Sequence, residues 1–184
     1  MIYSRNNKNL KLHNMDRNKW PITASVASGQ TEEFDTYGLL YRAGRNGTPY
    51  SIAMFTETDS KRLPEKRQSC NLTMIRVAKL GLTGKNIPYI KIWKTALEQG
   101  LRLLPEDIPM QFCLTAATLP QATKVFFAVD TVAEKPEFKY WALTPHPATE
   151  GRTWTLQTFR RSNFHNEFDE NSLFFFQVPD EEKE

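Results

Sequence analysis

Along the chain, the period of apolar and polar residues separates strands from helix. Tyr37, Leu39 and Tyr41 alternate with Gly38, Leu40 and Arg42, and Tyr50, Ile52 and Met54 repeat the alternation beyond Asn46-Gly47. An Asn-Gly pair between two period-two runs signals a β-hairpin, because both central residues of its type I′ turn need positive φ. A two-residue turn there sets Tyr41 opposite Ile52, Leu39 opposite Met54 and Tyr37 opposite Thr56 on a core face. Leu40, Arg42, Ser51, Ala53 and Phe55 fall on the other face. Leu72 to Leu80 predicts a third strand, apolar on both sides and carrying Arg76 and Lys79.

The period then lengthens. Ile90, Trp93, Leu97, Leu101 and Leu104 recur at helical spacing, while Lys91, Lys94, Glu98 and Arg102 lie off that stripe. The pattern predicts one long helix over about 87–104, capped by Asn86, with Pro88 at its second position and Pro105 as its stop. Gly100 inside it costs about 1 kcal/mol relative to Ala. Met110–Ala116, Lys124–Val132, Phe138–Leu143, Arg152–Arg160 and Ser172–Val178 follow, each β-branched or aromatic and bounded by Pro, Asn, Gly or acidic residues, and read as strands.

The expected fold class is therefore α+β, a mainly antiparallel sheet or an OB-like barrel: three strands, one long helix, then further strands. An OB-fold leaves the strands beyond the fifth as decoration, whereas a sheet with one helix packed on it uses every element. No repeat of 20 to 50 residues is present, which excludes solenoids and propellers. The reading divides the chain into a flexible basic N-terminal arm, 1–30, a single α+β domain, 31–178, and an acidic C-terminal tail, 179–184. A chain of 184 residues buries enough surface to fold without disulfide or structural metal.

Charge changes the picture more than composition does. The net charge is +3, yet residues 1–20 sum to +4, 61–100 to +7 and 141–184 to −4. Lys61 to Lys94 holds nine basic residues against the single acid Glu65, and four of the last five residues are acidic. No apolar run exceeds the five residues Val125 to Val129, and Leu173 to Phe176 has four, too short to cross a bilayer, so no membrane association is expected. No secretory h-region follows the basic start, and Cys70 and Cys113 lack metal or redox spacing, so both read as free thiols of a cytoplasmic protein, Cys113 in the core. Phosphate-binding glycine loops, the HExxH zinc motif and the GxSxG elbow are all absent, and His146 reads as a turn residue between prolines.

Two constellations remain. Asp35 and Glu57 fall at the open end of the hairpin, and Asp59-Ser60-Lys61 resembles the (D/E)xK half of the PD-(D/E)xK nuclease motif, whose acids hold Mg²⁺ beside a lysine. The helix that precedes the hairpin in that family is missing here. The basic middle points instead to a phosphate backbone, because each phosphate neutralised releases counterions. On this reading Arg42, Arg67, Arg76, Lys79 and Lys85 contact phosphates and Phe55 stacks on a base, with Trp93 or Trp141 as further stacking candidates. The acidic tail then occupies the groove until nucleic acid displaces it. The expected function is non-enzymatic binding of single-stranded nucleic acid, with no catalytic residue, cofactor or metal assigned. The alternatives are a protein-interaction module using Phe174, Phe175 and Phe176 as a partner edge in the C-terminal region, and the metal-dependent nuclease.

Overall fold

The computed structural model describes residues 19–28, 50–52, 68–105, 107–114, 119, 123–129, 139–145, 154–160 and 168–180. The Asn46-Gly47 turn and the strand expected at Tyr37–Tyr41 lie outside them. Seven strands form one sheet: β1 Ala24–Ser28, β2 Tyr50–Ile52, β3 Gln68–Arg76, β4 Val125–Phe127, β5 Lys139–Pro145, β6 Trp154–Arg160 and β7 Leu173–Val178. Their spatial order is β1-β3-β7-β4-β5-β6-β2. Four of the six pairings are antiparallel; β4 with β7 and β2 with β6 are parallel. The protein is mixed α+β with few helices, and six of the strands curl into a half-barrel, with the short β2 beyond β6.

The last strand in sequence among the described residues lies inside the sheet, third of the seven. β7 pairs on one side with β3, Ile75 opposite Phe174 and Leu72 opposite Gln177, and on the other with β4, Phe127 opposite Phe175. Its residues alternate between two buried faces: Phe175 faces Val26, Leu72, Phe127 and Leu156, whereas Phe174 and Phe176 face Trp20, Ile75, Ile92 and Phe126. A strand covered on both sides reads as an unbroken apolar run, which is why Leu173–Phe176 carries no alternation. The partner-edge reading of Phe174, Phe175 and Phe176 is thereby overturned, since all three are fully buried and both strand edges are paired.

Among the described residues, two helices cover these faces. α1, Tyr89–Glu98, lies on the Phe174 face through Ile92 and Ala96, four residues apart and so on one side of the helix. It is shorter than the expected 87–104. Pro88, not Asn86, is its N-cap residue. The helix ends in a Schellman motif, with the Leu101 N–H donating to Ala96 O at 3.1 Å and the Gly100 N–H to Leu97 O at 3.0 Å. That motif needs a left-handed residue, and Gly100 supplies it at φ 86. Arg102 and Leu104 then bridge to Gln177 and Val129 as extended chain, so Leu101 and Leu104 are buried without belonging to a helix.

The second helix, α2, Ile108–Leu114, replaces the strand expected at Met110–Ala116. Asp107 O accepts the N–H groups of Met110 and Gln111, and Pro109 stands in the first turn, where its missing donor would have no intrahelical partner. Ile108, Met110, Phe112 and Cys113 are all buried, and a short run buried all round has no period that separates helix from strand. α2 packs on the Phe175 face, giving three layers: α2, sheet, and α1 with the 3-10 turn Val77–Leu80.

The expected arm is also partly structure. Ala24–Ser28 pairs in antiparallel register with Gln68–Leu72, the Thr23 N–H donates to Leu72 O at 2.7 Å, and Trp20 is buried. At the other end Pro179 is buried and Asp180 accepts the Asn71 Nδ2–H at 2.9 Å, so the acidic tail begins packed. Among the described residues, no helix is long and apolar enough to cross a membrane.

Candidate nucleic-acid interface

Of the six residues expected to bind nucleic acid, Arg42, Phe55 and Arg67 lie outside the described residues; Arg76, Lys79 and Lys85 lie within them and are exposed. Lys79 projects from the 3-10 turn that follows β3, held by the αL residue Gly81 at φ 83. Its Nζ stands 5.3 Å from the centre of the Trp20 ring. Lys19 reaches the same ring, with Nζ at 4.8 Å, and donates to Gln99 Oε1 at 2.7 Å. Gln99 Nε2 in turn donates to Leu80 O at 2.8 Å, tying the end of α1 to the turn that carries Lys79. Two lysines far apart in the chain are thus gathered against one indole, whose π-face attracts each at about 0.5–2 kcal/mol.

Lys85 belongs to a loop fastened to the turn before β7. Ala78 N–H donates to Glu170 O at 2.8 Å, Glu170 N–H to Gly84 O at 3.1 Å, Ile87 N–H to Phe168 O at 2.8 Å, and Gly84 N–H to the Glu170 carboxylate at 2.9 Å. Asn86, at φ 58, lets this loop turn. Lys85 therefore has a carboxylate beside its loop, whereas Lys79 is drawn into the Trp20 cluster. Arg76 does not join them. Strand alternation places it with Leu72 and Met74 on the α2 face, opposite Ile75. Lys91 and Lys94, counted in the basic middle, are exposed on α1, in the same layer as Lys79.

The stacking candidates fare differently. Trp141 is buried in the α2-face core, and Trp93 is half-buried with its ring 4.9 Å from that of Tyr89. Trp20 has no open face to offer a base. Sequence reading missed Lys19, Trp20 and Gln99 as a unit. The adjacent Lys19-Trp20 pair was its only local trace, and the link to Lys79 is made solely by tertiary packing.

The nuclease set Asp35, Glu57, Asp59 and Lys61 lies outside the described residues. Among the described residues no group of three His, Cys, Asp or Glu side chains is placed to hold a metal ion. Cys70 and Cys113 are buried free thiols. Burial, with smaller contributions from Asp107 and Asp180, pushes the Cys70 thiol from 9.0 up to about 12, and burial alone raises Cys113. Neither is a nucleophile at neutral pH.

That shift sets a pH dependence. The folded chain holds the Cys70 proton more tightly than the unfolded chain, so this contribution to stability is intact below pH 9 and is lost as pH rises from 9 toward 12. Urea midpoints of wild type and Cys70→Ala, followed across that range, are expected to converge as pH rises. Parallel curves would count against the buried thiol.

Compared with known proteins, the chain matches no family model, no curated protein and no solved structure.

Proposed function

We propose that this chain is a non-enzymatic protein that binds single-stranded nucleic acid through its phosphates. The observation that carries the reading is the meeting of Lys19 and Lys79 over Trp20, within a layer that also exposes Lys85, Lys91 and Lys94. Against these five cations the same layer sets Glu98 and the half-buried Asp169 and Glu170 among the described residues. Ammonium groups carried by separate elements of one layer suit a flexible polyanion, which bends to meet them. The curl of the sheet is compatible with an OB-like barrel, an architecture that often carries oligonucleotides. In this proposal Arg42 and Arg67 extend the phosphate track, Phe55 supplies the stacking that Trp20 cannot, and Glu181, Glu182 and Glu184 compete for the cations.

A labelled oligothymidylate titrated between about 50 and 200 mM salt tests it. The full chain is expected to bind with a steep salt dependence. The double variant Lys19→Ala/Lys79→Ala should bind more weakly, its log–log salt slope reduced by about 0.7 for each phosphate that is no longer neutralised. Absence of binding at the lower salt, or an unchanged slope in the variant, overturns the proposal.

A further inference from the structure

The loop 81–86 already holds an anion, and it is one of the protein's own. The Gly84 N–H donates to the Glu170 carboxylate at 2.9 Å, and among the described residues no lysine or arginine stands within ion-pair distance of that carboxylate. Glu170 is put there by its main chain. Its carbonyl accepts the Ala78 N–H at 2.8 Å and its N–H donates to Gly84 O at 3.1 Å, so the backbone is pinned between the 3-10 turn and the loop. The carboxylate can leave by rotation of the side chain alone.

Around that contact lies a run of donors. Thr83, Gly84, Lys85 and Asn86 are all exposed, and the N–H groups of Thr83, Lys85 and Asn86 meet no protein acceptor among the described residues. Gly84 sits at φ 96, and a Cβ there would find no atom within 4 Å, so a bulky anion can come up to the main chain. Successive N–H groups beside a left-handed residue bind anions. Lys85 adds an ammonium and Thr83 a hydroxyl. Asp169 does not compete for these donors, since its Oδ1 accepts the Asn171 N–H at 2.9 Å and the Ser172 hydroxyl at 3.1 Å.

A phosphodiester carries the same unit charge as the carboxylate and comes tethered to others along its strand. The Ala78–Glu170 bond sets the loop next to the turn that carries Lys79, so a strand held at Lys79 presents its next phosphates at high effective concentration. We propose that the loop 81–86 is a phosphodiester subsite, with Glu170 as the resident carboxylate that a bound strand displaces. This inference rests on the nucleic-acid reading above and adds to it one seat and its built-in competitor.

The test is an NMR titration of the labelled full chain with oligothymidylate, read at the Gly84 and Lys85 amides, beside the same titration with inorganic phosphate. Saturable shifts at both amides are expected from oligothymidylate, at far lower concentration than inorganic phosphate needs. Glu170→Gln keeps an acceptor for the Gly84 N–H while removing the charge, and should tighten oligothymidylate binding about two- to fivefold, the size of an exposed charge interaction. Glu98→Gln, which removes an exposed carboxylate on α1, controls for net charge and should tighten it less than about twofold. Wild-type binding that leaves the Gly84 amide unmoved, or an equal gain from the two variants, overturns the subsite while the nucleic-acid reading stands. Shifts that inorganic phosphate produces and oligothymidylate does not would assign the seat to a free anion and also overturn it. No binding of oligothymidylate by wild type or Glu170→Gln at about 50 mM salt removes the nucleic-acid reading and the subsite with it.

Discussion

Phe175→Ala is expected to lower the unfolding free energy by about 3–5 kcal/mol, the range for removing a buried aromatic side chain. The ring is 0 % exposed, stacked 5.2 Å from Phe127 and tilted against Phe112 at 5.0 Å, where β4, β7 and α2 meet. The void left behind cannot close easily. β3 and β4 are held at ladder spacing on either side of β7, so neither can move in without breaking hydrogen bonds. Since domains of this kind are stable by only about 5–15 kcal/mol, the loss removes a large share of the total stability. Urea denaturation followed by circular dichroism measures the loss. A change within about 0.5 kcal/mol, typical of surface positions, would mean that Phe175 is not in the core and would revive the partner-edge reading.

Trp20→Ala carries the second large effect, again about 3–5 kcal/mol. Trp20 precedes β1 and is 2 % exposed, packed among Ile75, Leu80, Phe176 and Val178. Its removal also strips the ring from under Lys19 and Lys79, leaving both ammoniums over a void. For a chain of this length the loss corresponds to a fall of roughly 6–20 °C in Tm. Trp20→Phe, which keeps an aromatic filler, should recover most of that fall in a thermal melt. A Trp20→Ala melt indistinguishable from wild type would return residues 19–28 to the unstructured arm that their composition suggests.

What the sequence disclosed follows how each element is buried. β5, β6 and β7 were legible within two residues, because β-branched and aromatic runs bounded by turn formers have few other homes. α1 was legible as an element but not in length: Leu97, Leu101 and Leu104 fit a helical stripe, and only the left-handed Gly100 shows that the last two serve extended chain. α2 was misread as a strand because Ile108–Cys113 is buried throughout and so has no polar face to reveal a period. β1 was hidden by its composition. Ala24-Ser25-Val26-Ala27-Ser28 has one large apolar residue, and its place comes from pairing with β3 rather than from its own propensity. Of the binding residues, exposure at Arg76, Lys79 and Lys85 was inferable from charge alone. Which cations share a face was not, since that depends on strand alternation at Arg76 and on a glutamine linking α1 to the 3-10 turn.

The position of β7 has a consequence for biosynthesis. Without Leu173–Val178 the sheet is two fragments, β1 with β3 and β4 with β5, β6 and β2, which share no strand-to-strand hydrogen bonds among the described residues. Translation proceeds at about 5–20 residues per second, so both fragments wait at the ribosome with apolar edges unpartnered until residues 173–178 emerge. Insertion of that segment then seals the two in one step, through pairings of large sequence separation that make folding slow. A chain of this design leaves strand edges unpaired for longer than one whose bridging strand is made first.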